Sequence, residues 1–330
     1  MNIRITTADA GTAQKLASAL KGFSLVEKPS EADLIFVFYR EEEYLLPHCG
    51  IPGFEEKKAK MIRAILNMVC YARDLDALAE EYKKSVRPAS VVHMGAYADL
   101  AVAYLHKKHN ILSYALAPEY PSISAALAED TGIGVCSIKA AGVNDMLWVY
   151  EAKDSAGKDL LPALRGAAKE EKLDVSRFAL TLEPKKSLAF YGYYHSAKVQ
   201  KKDSASEAAR LAEALASPSP AVIPLYAVNK EYIYGLDEVP VCVPCTVSSG
   251  GILPGKVELP LQCVLASNDY AGALLTAASA LSKRSVHVFK RAIKLDPYIA
   301  SLLTLDEAES LAENILKSNK EAAEFFGGRI

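Results

Sequence analysis

Residues 2–8 alternate between apolar and polar positions, whereas the stretch Glu31-Ala-Asp-Leu34-Ile-Phe-Val-Phe-Tyr39 carries an unbroken apolar run to its end. The first pattern predicts a half-exposed strand, and the second a strand covered on both faces, as central strands of parallel sheets are. From about Glu55 to Lys84 the period changes. Ile62, Ile65, Leu66, Val69, Ala72, Leu75 and Leu78 share one face at helical spacing, which predicts a long amphipathic helix. Shorter segments fill the gaps: a helix over Ala13–Lys21, a short strand over Phe23–Glu27 and a strand over Ala89–Val92. A helix over Asp99–His109, a strand over Ile111–Ala115 and a helix over Ser122–Glu129 follow. Strand and helix in turn predict an α/β fold on a Rossmann-like, doubly wound parallel sheet.

The apolar runs Cys136–Val143 and Met146–Tyr150 predict two strands, with a sharp turn at Gly142 and the only tryptophan, Trp148, on the second. The polar pair Asn144-Asp145 sits between them, a placement that presents polar groups into a cleft or simply makes a turn. Beyond Ala152 the pattern loosens. Residues 154–187 are charge-rich and predicted mostly helical, and 188–194 form an aromatic, strand-like run ending at His195. A helix over Ser206–Leu215 stops at Ser217-Pro-Ser-Pro220, and Asp237–Val247 has the period of a strand. Helices over 268–282 and 285–294 precede a last one that opens on the capping box Thr304-Leu-Asp-Glu307 and runs to Phe326. These segments predict a second, α+β lobe, so that residues 1–117 form the Rossmann-like domain and 118–330 the other.

Composition narrows the function classes. Of 330 residues 51% are hydrophobic and 24% charged, and the net charge is -2, which leaves no basic footprint for nucleic acid or an acidic membrane. No apolar run reaches the roughly 18–20 residues of a spanning helix. The N-terminus reads as a strand rather than a leader, so a cytoplasmic protein is expected. Six cysteines are too few for a disulfide scaffold at this length. Cys242-Val-Pro-Cys245 lies inside a strand pattern and reads as two buried apolar residues rather than a zinc or redox pair. Cys136 likewise reads as core.

Several residues could carry chemistry. The turn after the first strand, Asp9-Ala-Gly11-Thr12, has one glycine where a dinucleotide fingerprint has three, and its aspartate adds repulsion toward a phosphate. Gly11 and Thr12 are the cofactor-binding candidates there, with Glu27 as the ribose-binding acid. His93, Asp145 and His195 each end a predicted strand. They form either one polar site, for a metal or acid–base work, or three unrelated loop residues. Arg40, at the end of the third strand, suits an anionic sugar or phosphate, or a structural ion pair.

One ordered series spans the C-terminal third: Glu238-Val-Pro240, Gly250-Gly-Ile252-Leu-Pro254, Glu258-Leu-Pro260-Leu-Gln262-Cys263, Ala292-Ile-Lys-Leu-Asp296-Pro297 and Leu302-Leu-Thr-Leu305. It resembles the C-terminal region of glycoside hydrolase family 4. That family comprises NAD-dependent 6-phospho-glucosidases and α-galactosidases related to lactate and malate dehydrogenases. Gly142-Val-Asn144-Asp145-Met-Leu-Trp148 is similar to the family's Gly-x-Asn-His turn, and Ala72-Arg73-Asp74 to its long helix. The resemblance implies NAD as oxidant, manganese held by a cysteine and a histidine, a proton-abstracting tyrosine, a sugar or sugar-phosphate ligand, and a dimer. With it the catalytic candidates are Asp145, His195 and Tyr194, of which Tyr194 stands close to the family's tyrosine position but out of place; Arg40, His93 and Asn144 are the substrate candidates and Asp145 the metal candidate.

The chain departs from that pattern where the chemistry would sit. The metal histidine becomes Asp145, the metal cysteine becomes Ala115 in Ala115-Leu-Ala-Pro118, and Asn-x-x-Asn-Pro becomes His93-Met-Gly-Ala96-Tyr97. The family's tyrosine position falls near Lys198 and holds no tyrosine, with Tyr193 and Tyr194 close but out of place. A divergent, shortened relative is expected, one that has lost NAD- and manganese-dependent hydrolysis and is non-catalytic or repurposed for sugar binding. An active 6-phospho-glycosidase and a structural or regulatory subunit remain the alternatives.

Overall fold

The computed structural model describes residues 1–7, 9–39, 54, 59–85, 89–95, 97–117, 124, 127–128, 132–143, 146–164, 179–180 and 204–327. In chain order its strands are β1 (Asn2–Thr6), β2 (Ser24–Leu25), β3 (Leu34–Tyr39), β4 (Ser90–Gly95), β5 (Tyr114–Leu116), β6 (Ser137–Val143), β7 (Met146–Lys153), β8 (Ala179–Leu180), β9 (Ala221–Val228), β10 (Pro240–Ser248) and β11 (Gly251–Pro254). The helices are α1 (Ala10–Ala19), α2 (Lys60–Lys84), α3 (Ala98–His109), α4 (Ser204–Ala216) and α5 (Leu261–Lys283), then α6 (Val286–Leu295), α7 (Pro297–Leu302), α8 (Leu305–Ser318) and α9 (Lys320–Phe326). No described helix is long and apolar enough to cross a membrane. The chain divides into two units, one of Met1–Ala115 with Asp269–Ile330 and one of Leu116–Asn268.

The first unit is built on β2-β1-β3-β4-β5, and every neighbouring pair there is parallel. The continuous apolar run of β3 is the physical requirement of its place between β1 and β4, and Leu34, Ile35 and Phe36 are wholly buried. All seven apolar residues read onto one face of α2 are buried. Asp76, on α2, accepts hydrogen bonds from the Tyr104 hydroxyl (2.7 Å), Lys108 Nζ (2.6 Å) and His109 Nε2 (2.7 Å) of α3. Burial alone would raise the Asp76 carboxyl, but those donors outweigh it and hold the group below the ordinary carboxylate range.

Sequence reading assigns 118–330 to one lobe; in the structure residues 269–330 pack with 1–115. The reason lies in α6 and α9, whose buried Phe289, Ile293 and Phe326 face α2 and each other, with the Phe289 and Phe326 rings stacked at 4.8 Å. The predicted final helix is two helices. Asn319 breaks it by accepting from Ala322 N, so that it caps α9 rather than continuing α8. The Thr304 capping box is present as expected.

Asp296 is the principal polar joint of this unit. Its buried carboxylate caps α7 through Tyr298 N (2.8 Å) and Ile299 N (3.2 Å), and also accepts from Met61 N (3.3 Å) in the first turn of α2. One anion thus meets two helix N-termini, where the backbone dipoles favour negative charge. Asp296→Ala is expected to lower stability by about 2 kcal/mol, the upper end for a lost cap. Asp296→Asn should recover part of that loss, as urea unfolding would read.

The second unit carries the antiparallel order β9-β10-β6-β7, with β11 on β10 and β8 parallel to β7. Strands β6 and β7 pair up to Val143↔Met146, so the two residues 144 and 145 connect them. Gly142 precedes the turn rather than making it. A Cβ there would stand 1.8 Å from Met146 O, so only glycine lets the two backbones approach. Trp148 is core, as expected, and its indole N–H donates to Ser267 Oγ at 3.0 Å. Cys242 and Cys245 are buried, and burial pushes the Cys245 thiol up to about 12, so neither is a reactive pair. Cys136 is exposed, contrary to the core expectation, because β6 begins only at Ser137 and its buried run only at Ala140.

Candidate functional site

In the parallel sheet β2 and β3 lie on opposite sides of β1. The chain therefore changes winding direction at β1, and a crevice opens outside the carboxyl ends of β1 and β3, where open α/β sheets bind ligands. A cleft of about 150 Å³ occupies this position, with Thr6 and Thr7 from the end of β1 and Val37, Phe38 and Tyr39 from β3. Tyr71, Asp74, Leu75 and Leu78 of α2 close its other side. The apolar stripe that buries α2 therefore ends in this wall, and Asp74 brings a carboxylate to it. The Thr6 Oγ1 atom is buried without a hydrogen-bond partner among the described residues. Buried hydroxyls are ordinarily satisfied, so this atom is available to a ligand hydroxyl or water.

Behind the cleft stands a buried polar chain. The Tyr39 hydroxyl and His93 Nδ1 share a hydrogen bond of 2.7 Å, and His93 Nε2 and Ser113 Oγ share one of 3.0 Å. Register explains the first: Val37 pairs with His93, so Tyr39, two residues on, projects on the same face of the sheet. The two rings stack with centroids 5.7 Å apart, and the Tyr71 ring meets Tyr39 edge-on at 5.1 Å. Burial pushes the His93 imidazole down to about 3, and either neutral tautomer satisfies both bonds. Burial, then the nearby Tyr71 and Asp74 charges, lifts the Tyr39 phenol well above its ordinary value. His93 exposes no surface, and both its nitrogens bond to protein.

Two positive-φ residues stand at the end of β4, and Asn110, Glu231 and Arg284 are left-handed elsewhere among the described residues. Gly95 has φ +99°, and Tyr97, a non-glycine, is left-handed at φ 62° as it enters α3. A Cβ on Gly95 would lie 2.3 Å from Tyr39 O, so the ends of β3 and β4 can close on each other only with glycine here. Such conformations gather at ligand sites.

The start of α1 bears on the dinucleotide expectation. Asp9 is its N-cap, accepting from Thr12 N at 3.0 Å and from the Thr12 hydroxyl, while Asp9 N donates to Thr7 Oγ1 at 3.1 Å. Gly11 lies inside the helix, and a Cβ there would meet only the Asp9 carboxylate, at 3.7 and 3.9 Å. The space a fingerprint glycine leaves for pyrophosphate is thus bordered by a side chain of the same sign. Gly11 and Thr12 are together, as expected, but they surround a carboxylate; Glu27 is exposed two residues past β2. This donor arrangement does not fit a dinucleotide phosphate.

The metal expectation is not supported by the described donors either. Ala115, at the place of the resemblance's metal cysteine, is a buried methyl in β5. Among the described residues no three His, Cys, Asp or Glu side chains converge. Arg40, Asn144, Asp145, Tyr194 and His195 lie outside the described residues. Sequence reading missed Thr6, Thr7, Tyr71 and the Tyr39–His93 pair; the one signal for them was the proximity of all but His93 and Tyr71 to predicted ends of β1 and β3.

No protein-family model and no curated protein sequence matches this chain. Solved structures do. A 6-phospho-β-glucosidase from Thermotoga maritima, solved with NAD and glucose 6-phosphate, aligns with TM-score 0.66 at 12% identity, covering 97% of this chain and 99% of its own. That coverage gives the expected shortening no support. A 6-phospho-α-glucosidase from gut microorganisms, in complex with NAD and Mn2+, aligns with TM-score 0.61 at 16% identity, covering 97% and 91%. Malate dehydrogenase from Aeropyrum pernix aligns with TM-score 0.55 at 14% identity, covering 84% and 98%. The chain has the Rossmann-like α/β fold that these phospho-glucosidases share with malate dehydrogenase.

Proposed function

We propose that this chain is a divergent relative of glycoside hydrolase family 4 that binds a sugar or sugar phosphate and does not run NAD- and manganese-dependent hydrolysis. The observation that carries the reading is the cleft wall of Thr6, Thr7, Tyr39, Tyr71 and Asp74 at the switch point of the sheet. Hydroxyls, a carboxylate and two aromatic rings on an apolar floor suit a sugar, whose ring offers hydroxyls at its rim and C–H surface on its faces. At about 150 Å³ the described cleft is smaller than the roughly 300–1,000 Å³ usual for small-molecule sites, which favours a compact ligand such as a single sugar. Arg40 follows Tyr39 directly in sequence and is the natural partner for a phosphate. The fold shared with proteins solved with glucose 6-phosphate supports the ligand class.

Titration calorimetry with glucose and glucose 6-phosphate, without NAD or manganese, tests this. Saturable heat is expected with a Kd of about 1 μM to 1 mM, and Asp74→Asn should weaken it about tenfold, or 1.4 kcal/mol. Silence with both ligands up to tens of millimolar would sink the reading. Turnover of a chromogenic 6-phospho-glycoside that requires NAD and manganese would restore the active-enzyme alternative.

A further inference from the structure

We infer that Asp9 is an internal substitute for a cofactor phosphate: its carboxylate fills the anion position at the start of α1 and by itself keeps dinucleotides out. Three observations meet at one place. The helix has ten residues and follows β1 directly at the switch point, the position where this architecture accepts a pyrophosphate. One N–H of its first turn, that of Thr12, is already engaged by the Asp9 carboxylate, which also accepts from the Thr12 hydroxyl. The space over Gly11, which a bound pyrophosphate needs, is bordered by the negative Asp9 Oδ1 and Oδ2, 3.7 and 3.9 Å from a would-be Cβ.

An entering phosphate would have to displace a hydrogen-bonded carboxylate and then sit against its charge. Both effects act against binding, and both disappear together when the side chain is removed. Among the described residues only the Asp9 side chain meets the space over Gly11. Gly11 is present, Thr12 N points at the position, and Thr7 holds the Asp9 backbone through its own hydroxyl. The site is therefore latent rather than dismantled. This inference concerns the start of α1, which adjoins the cleft through Thr7, and its readout of NADH and pyrophosphate is distinct from the sugar titration.

The test measures NADH binding by fluorescence and pyrophosphate binding by calorimetry on the full chain, comparing wild type with Asp9→Gly and Asp9→Asn. Glycine is well tolerated as an N-cap, so the fold should survive, and circular dichroism checks that it does. Wild type should show no saturation up to millimolar NADH. Asp9→Gly should bind at least tenfold more tightly, and Asp9→Asn, which keeps the cap but loses the charge, should fall between. Pyrophosphate should follow the same order, with the gain shrinking as salt is raised. Submillimolar NADH binding by wild type overturns the inference. So does an Asp9→Gly protein that is folded and still binds neither ligand. Should Asp9→Gly fail to fold, Asp9→Asn decides alone: an unchanged affinity overturns it.

Discussion

Gly95→Ala is expected to cost about 4 kcal/mol of stability, the largest single-residue effect foreseen in the parallel sheet. Two penalties add. An L side chain at φ +99° is strained by about 1–3 kcal/mol, and forcing an atom into a closed contact costs roughly as much again. The contact is with Tyr39 O, 2.3 Å from the added Cβ, so relief requires the ends of β3 and β4 to separate. Tyr39 is a wall of the cleft, and ligand affinity should fall with stability. Urea unfolding of the alanine variant checks the first effect and calorimetry on the folded fraction the second. A loss under 1 kcal/mol would mean that the strand ends are free to move apart.

The second expectation concerns acid. The His93 imidazole titrates near 3 in the folded chain against about 6.5 when unfolded, because burial disfavours its charged form. Between those values the unfolded chain binds the extra proton. The contribution of neutral His93 is therefore complete above pH 6.5 and is lost as pH falls toward 3. At pH 4.5 the loss from this group amounts to about 3 kcal/mol relative to pH 7. Other groups titrate over the same range, so the comparison is with His93→Gln, which can bond to Tyr39 and Ser113 but does not titrate. The wild type should lose about 3 kcal/mol more than the variant between the two pH values. Equal losses would show that the ring is not protected from water.

How much of this could be read from the chain alone depends on how local each feature is. The core strand β3 and the buried face of α2 were legible because each pattern repeats within its own segment, six residues in one case and seven matched positions in the other. Strand β9 was not, because Ser217-Pro-Ser-Pro220 precedes it and Pro224 interrupts it. The fold tolerates that proline by placing it directly opposite Pro244 of β10. At such a pair neither strand asks the other for the missing N–H. Pro244 also falls where β6 has ceased to pair with β10 and β11 has not begun.

The same distinction governs the site. The charge conflict at Asp9 was visible in the sequence because the cap, the glycine and the threonine lie within four residues. The Tyr39–His93 bond was not legible, because the two residues are 54 positions apart and meet only through the β3–β4 register. Tyr71 and Asp74 share a helix whose polar positions look like ordinary solvated surface until α2 is laid across the strand ends. Cys136 was misassigned for a related reason: an apolar neighbourhood in sequence says nothing about which residue begins the pairing.

The first unit takes its chain from both ends of the molecule, and this has a consequence for synthesis. Contacts such as Met61 to Asp296, Asp76 to Arg284 and Cys70 to Glu321 join residues separated by 235, 208 and 251 positions. When residues 1–115 leave the ribosome, the C-terminal helices that help cover α2 do not yet exist. At 5–20 residues per second, translating the intervening stretch takes roughly 10–30 s, far longer than a helix or hairpin needs to form. For that interval the emerging N-terminal third has α3 against α2 but lacks the cover that α6 and α9 later supply, so part of the apolar surface of α2 waits exposed. The intervening residues 116–268, by contrast, are contiguous and can complete their own sheet while they wait.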